Sequence, residues 1–312
     1  MAPAEEGTAG GAATLAQQTV AGAPAAASAP TATNSVAAAG ESASAAPVGL
    51  PTQPAAEVSA TATATVLPAT ATASATASAI PPTATPTRAA TAKRVIALDP
   101  GHGGPESGAS AYGLEEKDVN LNIALKLAAL LRAQGYEPVL TRDTDRSVSP
   151  LFTGGGYPGL TYDVQARVDI ANAAGADLFI SIHNNGGDPG ESGTEVWYNR
   201  QRTFADRNLA LAQLVQDNLL KRIRALGYPA EDRGIKNDDN FRIYRGRPYN
   251  IFVLGPGTGA RSHVPTQMPG VLGESLFISN ADDAAMLQRD DTLDAIAAGY
   301  RDAIVAYFER FP

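Results

Sequence analysis

Arg94-Val-Ile-Ala-Leu-Asp-Pro-Gly-His-Gly-Gly104 is a short apolar run that stops at a glycine-rich turn carrying a histidine. It reads as a strand over Arg94–Leu98 that ends at the turn Asp99-Pro-Gly101. The pattern returns at Leu178-Phe-Ile-Ser-Ile182, followed directly by His183-Asn-Asn185. The nearly unbroken apolar character of this second run suits a sheet covered on both faces. Between the two, Asp118 to Gln134 sets Leu121, Ala124, Leu125, Ala128 and Leu131 at three- and four-residue spacings ahead of Gly135, which predicts a helix. Glu137–Arg142 then predicts a strand, and Tyr162–Ala174, with Gly175 after it, a second helix. Further on come a strand at Thr194–Tyr198, a long helix over Phe204–Leu226, a strand near Gly270–Phe277 and helices from Asp282 and Thr292. Strands alternating with helices imply an α/β layered domain with a mainly parallel sheet.

Outside this region the texture changes. Residues 1–93 contain no Phe, Tyr, Trp, Asp or His, so all 8 Phe, all 10 Tyr and the single Trp of the 312-residue chain lie beyond them. Ala, Thr, Pro and Ser dominate instead, as in Pro81-Pro-Thr-Ala-Thr-Pro-Thr-Arg88. Too few large apolar groups are present to offset the entropy of ordering that backbone, so residues 1–93 are expected to be a disordered tether and 94–312 the folded domain. The net charge of −8 is spread over both parts, which argues against nucleic acid as a partner. With no cysteine there is neither a thiolate metal site nor a cysteine nucleophile. No apolar run reaches the ~20 residues of a transmembrane helix.

Histidine is scarce: His102, His183 and His263 are the three in the chain. His102 and His183 each follow the C-terminal end of a predicted strand, the edge of an α/β sheet where ligands bind. Two imidazoles there, without cysteines, favour zinc with a carboxylate as third ligand. The candidate third ligand is Glu115 or Glu116, at the start of the first helix, either of which is placed to reach back toward that edge; spacing does not choose between them. Glu274, within Gly270-Val-Leu-Gly-Glu-Ser-Leu-Phe277, is an acid inside an apolar strand. It must be paired, coordinated or protonated if buried, and a carboxylate beside a metal-bound water would fit.

Taken together, Val95–Gly104, Gly113–Ala124, Leu140-Thr-Arg142, Arg167–Ala173, Ser181–Asn185, Arg233-Gly-Ile-Lys236 and Glu274–Asn280 resemble, in order and spacing, the type 3 catalytic domain of zinc-dependent N-acetylmuramoyl-L-alanine amidases. The resemblance covers residues 94 to 311. It implies a phosphorylase/hydrolase-like fold, a mixed, mainly parallel six-stranded sheet flanked by helices. It makes His102, Glu116 and His183 the Zn2+ ligands, Glu116 because the matching glutamate directly precedes the lysine at Lys117. It makes Glu274 the catalytic glutamate, with Gly273, Ser275 and Leu276 departing from the more usual neighbours. It points to Asn185, Arg233 and Asn280 as substrate contacts.

The activity implied is cleavage of peptidoglycan between the lactyl group of N-acetylmuramic acid and L-alanine of the stem peptide. The alternatives are an inactive wall-binding or regulatory module on the same fold, against which intact His102, Glu116, His183 and Glu274 argue, and a zinc peptidase acting within the stem peptide, which would share the metal site. A peptidoglycan substrate implies an extracellular or cell-envelope location, whereas Met1–Glu6 lacks the basic start and apolar stretch of a signal peptide. The tether would extend from a wall anchor, and an activator is a further class of partner. Residues 236–267 exceed the length that the resemblance predicts. They form either a border or lid of the cleft, or a solvent-exposed insertion in which His263 is incidental.

Overall fold

A computed structural model describes residues 93–154, 157–239, 241–244, 247–257 and 263–312; the expected tether lies outside the described residues except for Lys93. The first strand, β1 (Val95–Pro100), is followed by a small hairpin, β2 (Ser110–Ala111) and β3 (Leu114–Glu115), and by α1 (Glu116–Ala133). Next come β4 (Glu137–Leu140), α2 (Tyr157–Ala173), β5 (Leu178–Asn185), β6 (Thr194–Tyr198), α3 (Ala205–Arg224) and β7 (Asp232–Asn237). A second hairpin, β8 (Arg242–Tyr244) and β9 (Arg247–Tyr249), precedes β10 (Gly270–Phe277), α4 (Ala281–Leu287) and α5 (Asp290–Arg310). No helix among the described residues is long and apolar enough to cross a membrane.

Six strands form one sheet in the order β4-β1-β5-β10-β6-β7. β4, β1, β5 and β10 run parallel, while β6 is antiparallel to β10 and parallel to β7. This is the mixed, mainly parallel sheet expected. Side chains alternate across it, as the two-residue period of a strand requires. Ile96, Leu98, Leu178, Ile180, Ile182 and Val271 pack into a core with α1, α3 and α5. Val95, Ala97, Phe179 and Leu272 pack on the opposite face with Val168 and Ala171 of α2, and with Ile251, Val253 and Leu254. The second face turns polar toward the strand ends: Asp99 pairs in register with Ser181, and Glu274 with both His183 and Glu195.

Boundaries differ from the sequence reading where local chemistry intervenes. α1 begins at Glu116 rather than Asp118, so an acid occupies the first turn, where the helix dipole stabilises it. The strand expected over Glu137–Arg142 leaves the sheet after Leu140, because the Thr141 hydroxyl and the Arg142 guanidinium turn to serve the β1 turn. α2 starts five residues earlier than its apolar spacing indicates. Gly273 has a packing reason: a Cβ there would overlap the phenol of Tyr300, which is fully buried against the strand.

Candidate metal centre and cleft

Two buried arginines fix the turn that carries His102. Arg142 donates to the carbonyls of Pro100 (3.0 Å), Gly101 (2.9 Å) and Lys117 (2.7 Å), tying β1 to the start of α1. Arg167 donates to the carbonyls of Pro100 (2.8 Å) and His102 (2.6 Å). Its charge is balanced by Asp99 at 3.0 Å and Asp163 at 2.8 Å. Burial disfavours the charged form of Asp99, but Arg167, helped by Thr141 and Ser181, overrides this and holds the carboxyl below its usual range. The clamp keeps His102 in a left-handed conformation, φ 62°, that a residue with a Cβ adopts only when its surroundings enforce it.

Glu116 sits between the two histidines. Its Oε2 lies 3.0 Å from His102 Nε2, and its Oε1 lies 2.9 Å from His183 Nδ1. The donor atoms of His102, Glu116 and His183 all fall within 4.8 Å of one another. Backbone amides of Ala109 (2.9 Å) and Asn184 (3.3 Å) and the Asn120 side chain (3.2 Å) also donate to this carboxylate. Burial would raise its pKa, yet the two imidazoles hold it well below the carboxylate range. Burial likewise opposes a charge on His102, but Glu106 and Glu116 push that imidazole up to about 10. Two glycines make room for these side chains. A Cβ on Gly101 would overlap the His183 ring, and one on Gly108 would press on both Glu116 and His102. Two imidazoles and one carboxylate with space cleared around them fit a zinc ion. Glu115 is not part of the group; it is exposed and pairs with Lys117 at 3.3 Å.

These residues line a cleft of about 770 Å³ that also includes Glu274, Glu195, Asn185 and Trp197. Glu274 Oε2 is buried without a hydrogen-bond partner. Burial, with Glu116 and Glu195 nearby, pushes this carboxyl well above the usual carboxylate range. Glu195 is held ionised by Arg233 (2.7 Å), Lys236 and the Trp197 indole (3.0 Å), and its pKa falls despite burial.

The other expected site residues are placed unequally. Asn185 lines the cleft. Arg233 is tied to Glu195 and to Glu191 (3.1 Å) and lies over the Phe277 ring at 4.8 Å. Asn280 caps α4, accepting from the amides of Asp282 and Asp283, and donates to Pro189 O at 2.9 Å. Within the long segment, Phe241, Ile251, Phe252 and Val253 line the cleft, which makes it a border. His263 stacks on Phe252 with centroids 3.9 Å apart. Glu106, 3.2 Å from His102 Nδ1, and Glu195 escaped the sequence reading. An i,i+4 relation to His102 was the available signal for Glu106, and an acid flanked by β-branched and aromatic residues that for Glu195.

Residues 96–306 match the family described as N-acetylmuramoyl-L-alanine amidase. The chain is 36% identical over 214 residues to an endolysin of Bacillus phage SPP1, covering 68% of this chain and 65% of the phage protein. It is 34% identical over 214 residues to the N-acetylmuramoyl-L-alanine amidase LytC of Bacillus subtilis, covering 68% of this chain but 35% of LytC. The chain thus spans about two thirds and one third of these relatives' lengths. Among solved structures, the amidase AmiC2 of Nostoc punctiforme superposes with a TM-score of 0.51 at 30% identity, over 70% of this chain and 99% of that one. The chain therefore belongs to the N-acetylmuramoyl-L-alanine amidase family, with a match that begins within β1, ends within α5 and takes in all four of His102, Glu116, His183 and Glu274.

Proposed function

We propose that residues 94–312 hydrolyse the amide between the lactyl group of N-acetylmuramic acid and L-alanine in peptidoglycan, with His102, Glu116 and His183 holding Zn2+. The observation that carries this is the convergence of the three donors within 4.8 Å on a cleft into which Glu274 brings an unpartnered carboxyl oxygen. A zinc ion, when bound, supplies a Lewis acid that acidifies water and polarises a carbonyl.

Glu274 is the catalytic acid and base. It takes a proton from the water that attacks the amide carbonyl and returns it to the departing amine of L-alanine. A carboxyl lifted by burial suits both steps, because raising a carboxyl strengthens it as a base and leaves it an acid able to protonate the leaving amine. Glu116 is kept ionised by its imidazoles and amide donors, so the two carboxyls of one cleft are separated in role by their surroundings. Asn185 is the substrate contact best placed on the cleft. Arg233 acts at the rim through Glu195, and Asn280 supports the loop at Pro189. The catalytic domain works outside the cytoplasm or in the envelope, on residues 1–93 as a tether to a wall anchor or activating partner.

Retention of all three donors and of Glu274 favours an enzyme over an inactive wall-binding module. Mass spectrometry of digested peptidoglycan separates the amidase from a stem-peptide protease. The expected products are intact stem peptides beginning with L-alanine and glycan strands bearing free lactyl carboxyls. Cuts within the stem peptide would overturn the assignment. Activity should vanish on chelation and return with added zinc; full activity in metal-free protein would refute the metal's role.

A further inference from the structure

His102 presents Nε2 toward Glu116, which leaves Nδ1 to be accounted for. That atom is buried and makes no hydrogen bond to any other described residue. A metal-bound imidazole carries its proton on the nitrogen that does not bind, and a buried N–H left without an acceptor is destabilising. Glu106 Oε1 stands 3.2 Å from Nδ1, one helical-turn spacing along the chain, and a small rotation of the ring would align the N–H with it.

Glu106 is held there by its backbone. Gly103 N donates to Glu106 O at 2.9 Å and Glu106 N to Gly103 O at 3.3 Å, closing a miniature turn just after His102. The loop is pinned again where Lys117 N donates to Ser107 O (3.0 Å) and Glu116 N to Ala109 O (2.9 Å). Lys117 Nζ reaches Gly104 O at 3.1 Å, and Gly104 N donates to Asp145 at 2.7 Å. The loop that carries Glu106 is thus tied to α1, the element that carries Glu116.

We propose that Glu106 is a positioning residue for the metal centre: it accepts the Nδ1 proton of His102 and so fixes the tautomer and ring orientation that present Nε2 to the ion. This rests on the zinc reading above. Carboxylates that orient ligating imidazoles in this way typically change metal affinity by about 10- to 100-fold when removed. Glu106→Leu removes the acceptor at similar size, and Glu106→Gln keeps a neutral one. Because the loop is held by main-chain bonds, neither variant should alter the metal-free fold.

The test is a zinc titration of the full chain against a competing chelator, for the parent, Glu106→Leu and Glu106→Gln, with His102→Ala as the control for a lost ligand. The parent should bind one zinc. Glu106→Leu should bind about 10- to 100-fold more weakly, with Glu106→Gln between them and metal-free melting temperatures alike. In the zinc-loaded, 15N-histidine-labelled protein, the His102 signal, assigned by its absence in His102→Ala, should show Nδ1 protonated and Nε2 bound. Equal affinities for parent and Glu106→Leu, or metal on Nδ1, would overturn the role of Glu106 while leaving the zinc site intact. A parent chain that binds no zinc would overturn both.

Discussion

Glu274 and Gly101 show how single atoms set the chemistry. Glu274→Gln preserves size and leaves an amide where the basic oxygen was. If Glu274 is the acid and base proposed above, this variant should lose about 100-fold or more in kcat with zinc content unchanged. Loss of zinc would mark a ligand, and near-normal turnover a buried structural acid. Both readings are open to measurement of metal, melting temperature and turnover on the one variant. Gly101→Ala tests the opposite kind of residue, one that contributes by lacking an atom. Its new Cβ would overlap the His183 imidazole. His183 must then move from Glu116, and zinc affinity should fall by about 10-fold or more, the range seen when a ligand loses its orientation. Unchanged affinity in Gly101→Ala would show that the turn yields to the methyl group. The two histidines were visible in the sequence because each follows an apolar run, and Glu274 because it interrupts one. Gly101 was visible only as part of a glycine-rich turn, since the ring it accommodates lies on β5, 82 positions further along the chain.

Among the elements, the segment between β7 and β10 is the one whose use the sequence left open. Its residues Ile251, Phe252 and Val253 line the cleft, and it is fastened to the turn before α3 and to α2. Arg202 donates to the carbonyls of Leu254 and Gly255, both at 3.2 Å, and to the Thr266 hydroxyl at 3.1 Å. Gln165 of α2 exchanges hydrogen bonds with the backbone of Val264, and Asn172 does so with Pro265 and Gln267. Arg202→Ala should therefore raise KM and expose residues 250–257 and 263–267 to proteolysis while zinc stays stoichiometric. His263→Ala, which removes the ring stacked under Phe252, should likewise keep its metal; loss of stoichiometric zinc would mean that the ligands are assigned wrongly. The strands and helices of the sheet were legible because their period matches their burial: β10 was placed at Gly270–Phe277 from its apolar run alone. β7, Asp232-Arg-Gly-Ile-Lys-Asn237, was not, because an edge strand paired on one side is half-buried and carries no apolar alternation. The clamps on the β1 turn were hidden for a related reason. Arg142 and Arg167 look like surface charges in a sequence, and only the fold shows that carbonyls of the turn and the acids Asp99 and Asp163 surround them.

At the scale of the whole molecule, the chain divides by composition into a part rich in large apolar side chains and a part dominated by Ala, Thr, Pro and Ser. Every aromatic side chain lies beyond residue 93, and the described core draws only on residues from Val95 onward. Deleting residues 1–93 should leave the melting temperature of the remainder and its turnover on soluble muropeptides nearly unchanged. Zinc gives a stricter comparison. An ion that binds only the folded state stabilises it by ~2.7 kcal/mol when present at a hundred times its dissociation constant. Chelation should thus lower the melting temperature of the full and the truncated chain by the same interval, and zinc should restore both. A truncated chain that melts many degrees lower, or that has lost its zinc-dependent shift, would show that residues 1–93 dock on the catalytic domain. If instead the two chains agree in solution but the truncated one falls behind on intact walls, the first 93 residues act through reach and local concentration, which change how often the cleft meets its substrate and leave the chemistry inside it untouched.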